Sequence, residues 1–169
     1  MSDLYSELLV KKERTAKDVI IKYGLIALTV LAAAAGLFIS PLILVVAIGL
    51  GIACYFVLPK TDLEYEYLFV NGEMDIDVVM AKTKRKRVKN INIQEADLVA
   101  PLNSHRLDYY NGNQKLKVLD YSSGNPEHKR FAVITRDGSE TCKIIIEPDD
   151  AMAVSIKNSA PVSYTHLTL

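Results

Sequence analysis

The amino-acid sequence predicts an α+β membrane protein, in which an N-terminal two-helix transmembrane hairpin precedes a small antiparallel β-barrel or sheet that ends in a helix. Two observations predict this class. The run from Tyr23 to Pro59 contains no Asp, Glu, Lys, Arg or His, and after Pro59 the apolar periodicity changes from helical to alternating. A run of this length holds two helices of ~20 residues, the length that spans a hydrocarbon core of ~30 Å.

A break within the apolar run divides it into two spans. Proline disfavours helical geometry in the residue before it and is accepted in the first turn of a helix. Ser40-Pro41 therefore predicts one helix over about 19–39 and another over about 41–58. A cleaved signal peptide is excluded, because its apolar stretch is only ~7–15 residues long. The predicted divisions are a lead-in over 1–18, the hairpin over 19–59, a soluble β-rich domain over 60–160 and a tail over 161–169.

Basic residues flank both outer ends of the predicted hairpin, whereas its tip at Ser40-Pro41 has none. The flanking cations are Lys11, Lys12, Arg14, Lys17, Lys22 and Lys60. Because Lys and Arg near span ends stay on the cytoplasmic side, both termini are predicted to lie in the cytoplasm and the spans in the cell membrane.

The lead-in has apolar side chains at helical spacing. Leu4, Leu8 and Leu9 fall on one side of a helix, which predicts either a short amphipathic helix on the membrane surface or a helical lead-in to the first span. Thr15 and Asp18 have the spacing of a capping box and predict a helix that starts near Ala16.

Two hairpin signals organise the soluble region. Apolar residues alternate with acidic ones on both sides of Asn71-Gly72, the pair that most favours a two-residue β-turn. A second hairpin is predicted around Asp137-Gly138. Weaker strands are predicted at 88–93, 97–100 and 115–121, and a closing helix over about 149–158 places Met152 and Ile156 on its apolar side. About seven short strands followed by one helix is the order of a pleckstrin-homology-like (PH-like) fold, although several other small β folds fit the same order.

Several strings in the sequence resemble a family of uncharacterised bacterial membrane proteins, a domain of unknown function with two N-terminal spans and a β-rich, PH-like domain. They are DLYSELLVKKER (3–14), CYFVLPKTDLEYEYLFVNGEMDID (54–77), MAKTKRKRVK (80–89), APLNSHR (100–106), DYYN (108–111), YSSG (121–124) and CKIIIEPDDAM (142–152). The resemblance covers about Asp3 to Ser159 and implies no catalytic residue. The tail from Val162 to Leu169, including His166, departs from it and is interpreted as translated adapter sequence rather than native chain.

One dense basic cluster is the main candidate for binding. It comprises Lys82, Lys84, Arg85, Lys86, Arg87 and Lys89. Such a cluster near a span binds anionic lipid or a protein partner, or it is a solvated turn that protects a strand edge. Nucleic acid is not expected, because aromatic residues do not interleave with the cations and the net charge is zero.

Small residues at four-residue spacing are candidates for close helix packing, since they let helix backbones approach in a membrane. They are Ala32, Gly36, Ala47, Gly49, Gly51 and Ala53. The alternative is that Ala and Gly are simply common in spans.

No constellation in the sequence predicts catalysis, a metal or a cofactor. Ser104, His105 and Asp108 are close in sequence, but a triad is defined by geometry and no nucleophile motif is present. His128 is a loop histidine without a ligand at metal spacing. Cys54 lies in the apolar run and Cys142 in a strand, so they are not expected to pair.

These observations favour a non-enzymatic, membrane-anchored binding or scaffolding module that faces the cytoplasm. Its expected partners are the lipid bilayer and a membrane protein or a second copy of the chain. The alternatives are an accessory subunit whose spans form the interface, or a module that binds anionic lipid. Tyr109, Tyr110 and Tyr121 are either a binding face or rim residues of the β-domain.

Overall fold

The first element of the structure is a strand rather than the helix that the lead-in predicts. A computed structural model describes residues 5–112, 116–138 and 140–160. Within them, β1 (Tyr5–Lys11) pairs antiparallel with β2 (Leu63–Val70), from Tyr5↔Val70 to Lys11↔Glu64. Leu8 and Val10 face the core on alternate positions, whereas Leu9 is exposed. The helical prediction was wrong because a helix of this length is marginal alone, and pairing with β2 satisfies the backbone instead.

The described residues divide into two units, of which the helical unit comprises Glu13–Leu63 and Val79–Lys84. Helix α1 (Ala16–Phe38) begins at the predicted capping box, in which the Thr15 hydroxyl accepts from the Asp18 amide and the Asp18 carboxylate accepts from the Thr15 amide. Helix α2 (Leu42–Val57) follows Ser40-Pro41, and a 3₁₀ turn extends it through Leu58–Thr61.

Both helices are long and apolar enough to span a membrane. Only 6% of the most apolar window of each helix is buried within the chain, whereas the core helix of a soluble protein would be mostly buried. The two candidate transmembrane helices of the sequence analysis are therefore present, with ends within three residues of those expected.

The other unit contains two four-stranded sheets. In the first, the order is β1, β2, β3 (Glu73–Met80) and β4 (Lys84–Asn92). The connection between β2 and β3 is the predicted two-residue turn, with Asn71 at φ 50° and Gly72 at φ 94°. A Cβ on Gly72 would also lie 2.6 Å from the Gln94 side-chain nitrogen, so the Gln94 side chain would have to move.

The second sheet consists of β5 (Leu98–Pro101), β6 (Lys117–Asp120), β7 (Phe131–Asp137) and β8 (Glu140–Ile146). Its strands lie in the order β5, β7, β8 and β6. Strand β6 runs parallel to β8, so the sheet is not purely antiparallel as expected. The predicted second hairpin is present, with β7 and β8 paired from Phe131↔Ile146 to Asp137↔Glu140.

A single large core joins the inner faces of both sheets to the closing helix. A short helix, α3 (Asp108–Asn111), lies between β5 and β6 along the chain. Helix α4 (Asp150–Ser159) follows β8 and is capped by the Asp149 carboxylate. Met152 and Ile156 of α4 are buried in that core, as predicted. Two sheets followed by a C-terminal helix match the element order predicted from the sequence, and among the described residues the strands do not close into a barrel.

Candidate functional site

The predicted basic cluster lies on an edge strand and the turn before it. Lys84, Arg85, Lys86, Arg87 and Lys89 belong to β4, which is the last strand of the first sheet. Lys82 lies in the turn, where its backbone has a φ of 58° and the preceding Ala81 a φ of 47°. The cluster is therefore extended, and its side chains meet different neighbours.

Both arginines of the cluster are neutralised by acidic residues of their own sheet. The Arg85 guanidinium pairs with Glu66 of β2 and lies 3.7 Å from Asp77 of β3. The Arg87 guanidinium lies 3.0 Å from Asp75 and 3.7 Å from Asp77. Asp77 Oδ1 is buried without a hydrogen bond, so the two guanidinium groups supply its compensating charge. Both arginines are thus paired within their own sheet, although 58% of the Arg85 side chain and 63% of the Arg87 side chain remain exposed.

A third cation of the cluster is also paired. Lys89 donates to the carboxylate of Asp137, at the end of β7, and this contact lowers the pKa of Asp137 below its ordinary value. The sequence also contains a signal for the arginine pairs. Glu64 and Glu66, Asp75 and Asp77, and Arg85 and Arg87 each alternate, on three strands consecutive in the chain, and cross-strand neighbours on one face interact.

The remaining lysines of the cluster have no carboxylate partner. Within the part of the chain that the structure describes, no ion pair involves Lys82, Lys84 or Lys86. Lys84 Nζ instead lies 5.1 Å from the ring centroid of Tyr55, which is near the end of α2. The Tyr55 ring meets Phe56 edge to face, with centroids 5.3 Å apart. Tyr55 was not among the residues that the sequence analysis singled out.

The end of the helical hairpin where α1 begins and α2 ends is closed by polar contacts. The Arg14 guanidinium donates to the Asp62 carboxylate at 3.0 Å. The Asp62 carbonyl accepts a hydrogen bond of 2.9 Å from the Ala81 amide, in the turn that carries Lys82. This end of the hairpin, comprising Arg14, Tyr55, Phe56, Lys60, Asp62 and the segment 79–84, is called the hairpin base below.

The six small residues of the spans fall into two groups. Gly36 and Ala47 are buried, and a Cβ on Gly36 would lie 2.6 Å from a Leu44 methyl carbon and 2.9 Å from the Leu44 amide nitrogen. Ala32, Gly51 and Ala53 are partly buried, and Gly49 is exposed. Nothing lies within 4 Å of a Cβ on Gly49 or Gly51, so α1 does not approach α2 closely at these two glycines, and packing of another helix against them stays a prediction.

Ser123, His128 and Glu147 form a polar cluster that the sequence analysis did not identify. Ser123 Oγ donates to Glu147 at 2.6 Å, and His128 Nδ1 lies 2.7 Å from the same carboxylate and 3.3 Å from Ser123 Oγ. An activated serine needs one imidazole nitrogen as its base and a carboxylate on the other nitrogen. Here Nδ1 meets both groups, so the arrangement holds the loop 122–128 to the chain after β8 and does not activate the serine.

The other candidate reactive residues lie apart from that cluster. Ser104 caps the turn at Arg106, and His105 Nδ1 is 3.4 Å from Asp108 at the surface. Cys54 and Cys142 are both free thiols. Within the described residues, no group of three His, Cys, Asp or Glu side chains is placed to hold a metal ion.

The three tyrosines considered as a binding face have different environments. Tyr121 packs on the main core and meets Tyr65 edge to face, and Tyr110 packs on a smaller apolar cluster. Tyr109 is 85% exposed. With Asp97 and Arg136 it lines a surface concavity of about 630 Å³, to which Tyr110, Gly112 and Thr141 also contribute. Of these three tyrosines, Tyr109 alone is largely exposed, and Tyr110 contributes to the same concavity from a partly buried position.

Comparison with known proteins identifies the family. No curated protein and no solved structure matches the chain. A family model described as "Bacterial PH-like domain (DUF6106)" matches residues 2–166, which include both apolar helices and both sheets. PH-like domains are generally binding or scaffolding modules and are generally not catalytic. The chain therefore belongs to the bacterial PH-like family DUF6106, in agreement with the resemblance noted from its sequence.

Proposed function

We propose that this protein is a membrane-anchored binding or scaffolding module without enzymatic activity, whose PH-like domain faces the cytoplasm. One observation carries the proposal: the two apolar, exposed helices lie between β1 and β2, which are paired neighbours in one sheet. Two paired strands must lie on the same side of a bilayer. An inserted segment that crosses the membrane twice returns the chain to that side, whereas a single crossing could not.

The distribution of cations supports the cytoplasmic orientation. Arg14, Lys17 and Lys22 are at the start of α1, and Lys60 follows α2, whereas the tip between the helices has no charge. Because Lys and Arg near the ends of spans stay on the cytoplasmic side, we expect β1 and the remainder of the domain to lie there too.

The concavity at Tyr109 is the face that we expect a protein partner to use. Tyrosine and arginine are the residue types that dominate binding energy at protein interfaces, and Tyr109 and Arg136 line this surface together. Arg136 keeps 74% of its side chain exposed although it lies 3.3 Å from Asp97. A partner with an aromatic or acidic side chain is complementary to it.

The proposal is tested by fractionation and crosslinking of the full-length protein in native membranes. We expect the protein to resist extraction by alkaline carbonate and to crosslink to a partner that is lost in Tyr109→Ser. Tyr5→Ser is the matched control, because Tyr5 is also an exposed tyrosine, on β1. Release of the protein by carbonate contradicts the anchor. Loss of the partner in both variants, or in neither, contradicts the assigned face.

A second candidate is an accessory subunit of a larger membrane complex. The specific observation is the open surface of α2 at Gly49, where a further helix could approach the backbone closely. Gly49→Leu should then abolish co-purification with the complex, while Tyr109→Ser should not. The opposite result favours the binding module.

A further inference from the structure

The turn that carries Lys82 is part of the hairpin base. Its Ala81 amide donates to the carbonyl of Asp62, directly after the 3₁₀ turn that ends α2. The Asp62 carboxylate in turn accepts from Arg14, directly before α1. Lys82 is therefore held by backbone contacts at the end of the hairpin where the apolar helices stop.

The next lysine is held at the same end by an aromatic ring. Lys84 Nζ lies over the face of Tyr55, within the range of a cation–π interaction. Tyr55 and Phe56 are 65% and 61% exposed although they end an apolar helix. Exposed aromatic rings at the end of a span are typical of the boundary between hydrocarbon and headgroups. The ammonium group is thus placed at that boundary.

The charge of these two lysines is not cancelled by the protein. Arg85, Arg87 and Lys89 each have a carboxylate partner in the β-unit, whereas Lys82 and Lys84 have none among the described residues. Lys60, which is exposed in the turn after α2, adds a third cation to the hairpin base. The basic cluster therefore contains three residues paired with carboxylates, Arg85, Arg87 and Lys89. The other three have no carboxylate partner among the described residues, and two of these, Lys82 and Lys84, lie at the hairpin base.

We propose that the hairpin base binds the headgroups of anionic phospholipids, with Lys82 and Lys84 contacting the phosphate and the rings of Tyr55 and Phe56 lying among the upper acyl chains. The inference rests on the proposed membrane anchor and names its ligand. Lysines near an anionic bilayer surface attract it, and two of them together strengthen binding by about tenfold or more. Lys84 can contact the ring and a phosphate together, because an ammonium has three donors.

The test is native mass spectrometry of the full-length protein in detergent, titrated with phosphatidylglycerol or phosphatidylcholine. The variant is Lys82→Asn with Lys84→Gln; asparagine is chosen because it tolerates the positive φ of position 82 better than most residues. We expect affinity for phosphatidylglycerol to fall about tenfold or more and binding of phosphatidylcholine to be unchanged. The matched control, Lys117→Gln with Lys157→Gln, makes the same change in net charge at exposed positions of β6 and α4.

The ring contact is tested separately. Tyr55→Phe keeps the ring under Lys84 and should retain the preference for phosphatidylglycerol, whereas Tyr55→Ala should reduce it. Unchanged binding in the Lys82/Lys84 variant overturns the inference, and so does an equal loss in the control pair. Displacement of the lipid by glycerol 3-phosphate also overturns it, since the site would then hold a soluble phosphate. These outcomes are independent of carbonate extraction, which alone decides the anchor.

Discussion

At the scale of the residue, Tyr67 joins two segments of chain from a fully buried position. Its hydroxyl donates to the carbonyl of Tyr121 and accepts from the amide of Glu147 at 3.3 Å. Burial raises the pKa of Tyr67 far above its ordinary value of 10.0. The folded state therefore keeps this proton at a pH where the unfolded chain releases it.

We expect alkaline pH to destabilise the domain through this group. The contribution of Tyr67 is fully present below pH 10, the ordinary pKa of tyrosine, and is lost as the pH rises above it, because only the unfolded state ionises there. Tyr67→Phe should cost about 1–3 kcal/mol at pH 7, since the Glu147 amide loses its acceptor. It should also reduce the loss of stability above about pH 10, where the unfolded wild-type chain releases this proton and the folded one keeps it.

Thermal unfolding of the full-length protein, followed by near-ultraviolet circular dichroism, measures both effects. Tyr109→Phe is the control, because that side chain is exposed and should change neither the stability at pH 7 nor the alkaline slope. A Tyr67→Phe variant with the wild-type alkaline slope would show that this buried hydroxyl is not responsible.

Side-chain direction could be predicted from the sequence for these strands, but side-chain partners could not. Alternation alone places Tyr65, Tyr67 and Phe69 on one face of β2, and the structure buries all three. The pairs of Arg85 with Glu66 and of Arg87 with Asp75 depend on the register of three strands. A shift of one residue would turn every one of these charges to the other face, so the pattern of a single strand cannot specify them.

At the scale of the element, the two glycines of the helical hairpin should respond differently to a larger side chain. Gly36→Leu places carbon atoms where Leu44 already lies, so α1 and α2 must separate at that level. Gly49→Leu meets nothing within 4 Å and should leave the hairpin intact. We therefore expect only the first substitution to loosen the packing of the two helices.

A disulfide reports on that packing. Thr29 Oγ1 lies 3.3 Å from Cys54 Sγ across the two helices, so Thr29→Cys brings two thiols together. In membranes treated with an oxidant, crosslinking should be several-fold slower with Gly36→Leu added and unchanged with Gly49→Leu added. Equal rates in all three backgrounds would mean that Gly36 does not determine the approach of the helices.

Elements that depend on local signals were predictable, and elements that depend on distant partners were not. Three predicted features depend only on residues that are close in sequence: the capping box at Thr15, the turn at Asn71-Gly72 and the apolar face of α4 with Met152. Strand β1 instead pairs with a strand more than fifty positions later, and β6 pairs in parallel with β8. Short apolar segments such as 5–11 fit either a helix or a strand until the partner is known.

At the scale of the whole molecule, the helical hairpin is an insertion between two paired strands. Lys11 and Glu64 are opposite each other in the ladder, and residues 12–63, with both apolar helices, lie between them. The β-unit therefore has its own core, to which β1 contributes Val10 and Leu8. A PH-like domain built in this way requires the residues before the first helix as much as those after the second.

This topology predicts that the domain can be separated from its helices. Replacement of residues 12–63 by Asn-Gly joins Lys11 to Glu64 with the two-residue turn that antiparallel neighbours favour, and we expect a soluble, folded monomer. Removal of residues 1–62 takes away the same helices and also β1, which exposes the edge of β2 and removes Val10 from the core. That chain should aggregate, or unfold at a lower urea concentration because its free energy of unfolding is lower by several kcal/mol.

Size-exclusion chromatography and urea unfolding distinguish the two chains, because they differ mainly in the presence of β1. If both chains were equally soluble and stable, β1 would be dispensable for the fold. Pairing of β1 with β2 could then not require that the two helices return the chain to the same side of the membrane. If only the chain with β1 folds, the membrane hairpin is an insertion in a domain that is complete without it. The number of crossings must then be even, whichever side of the membrane the domain occupies.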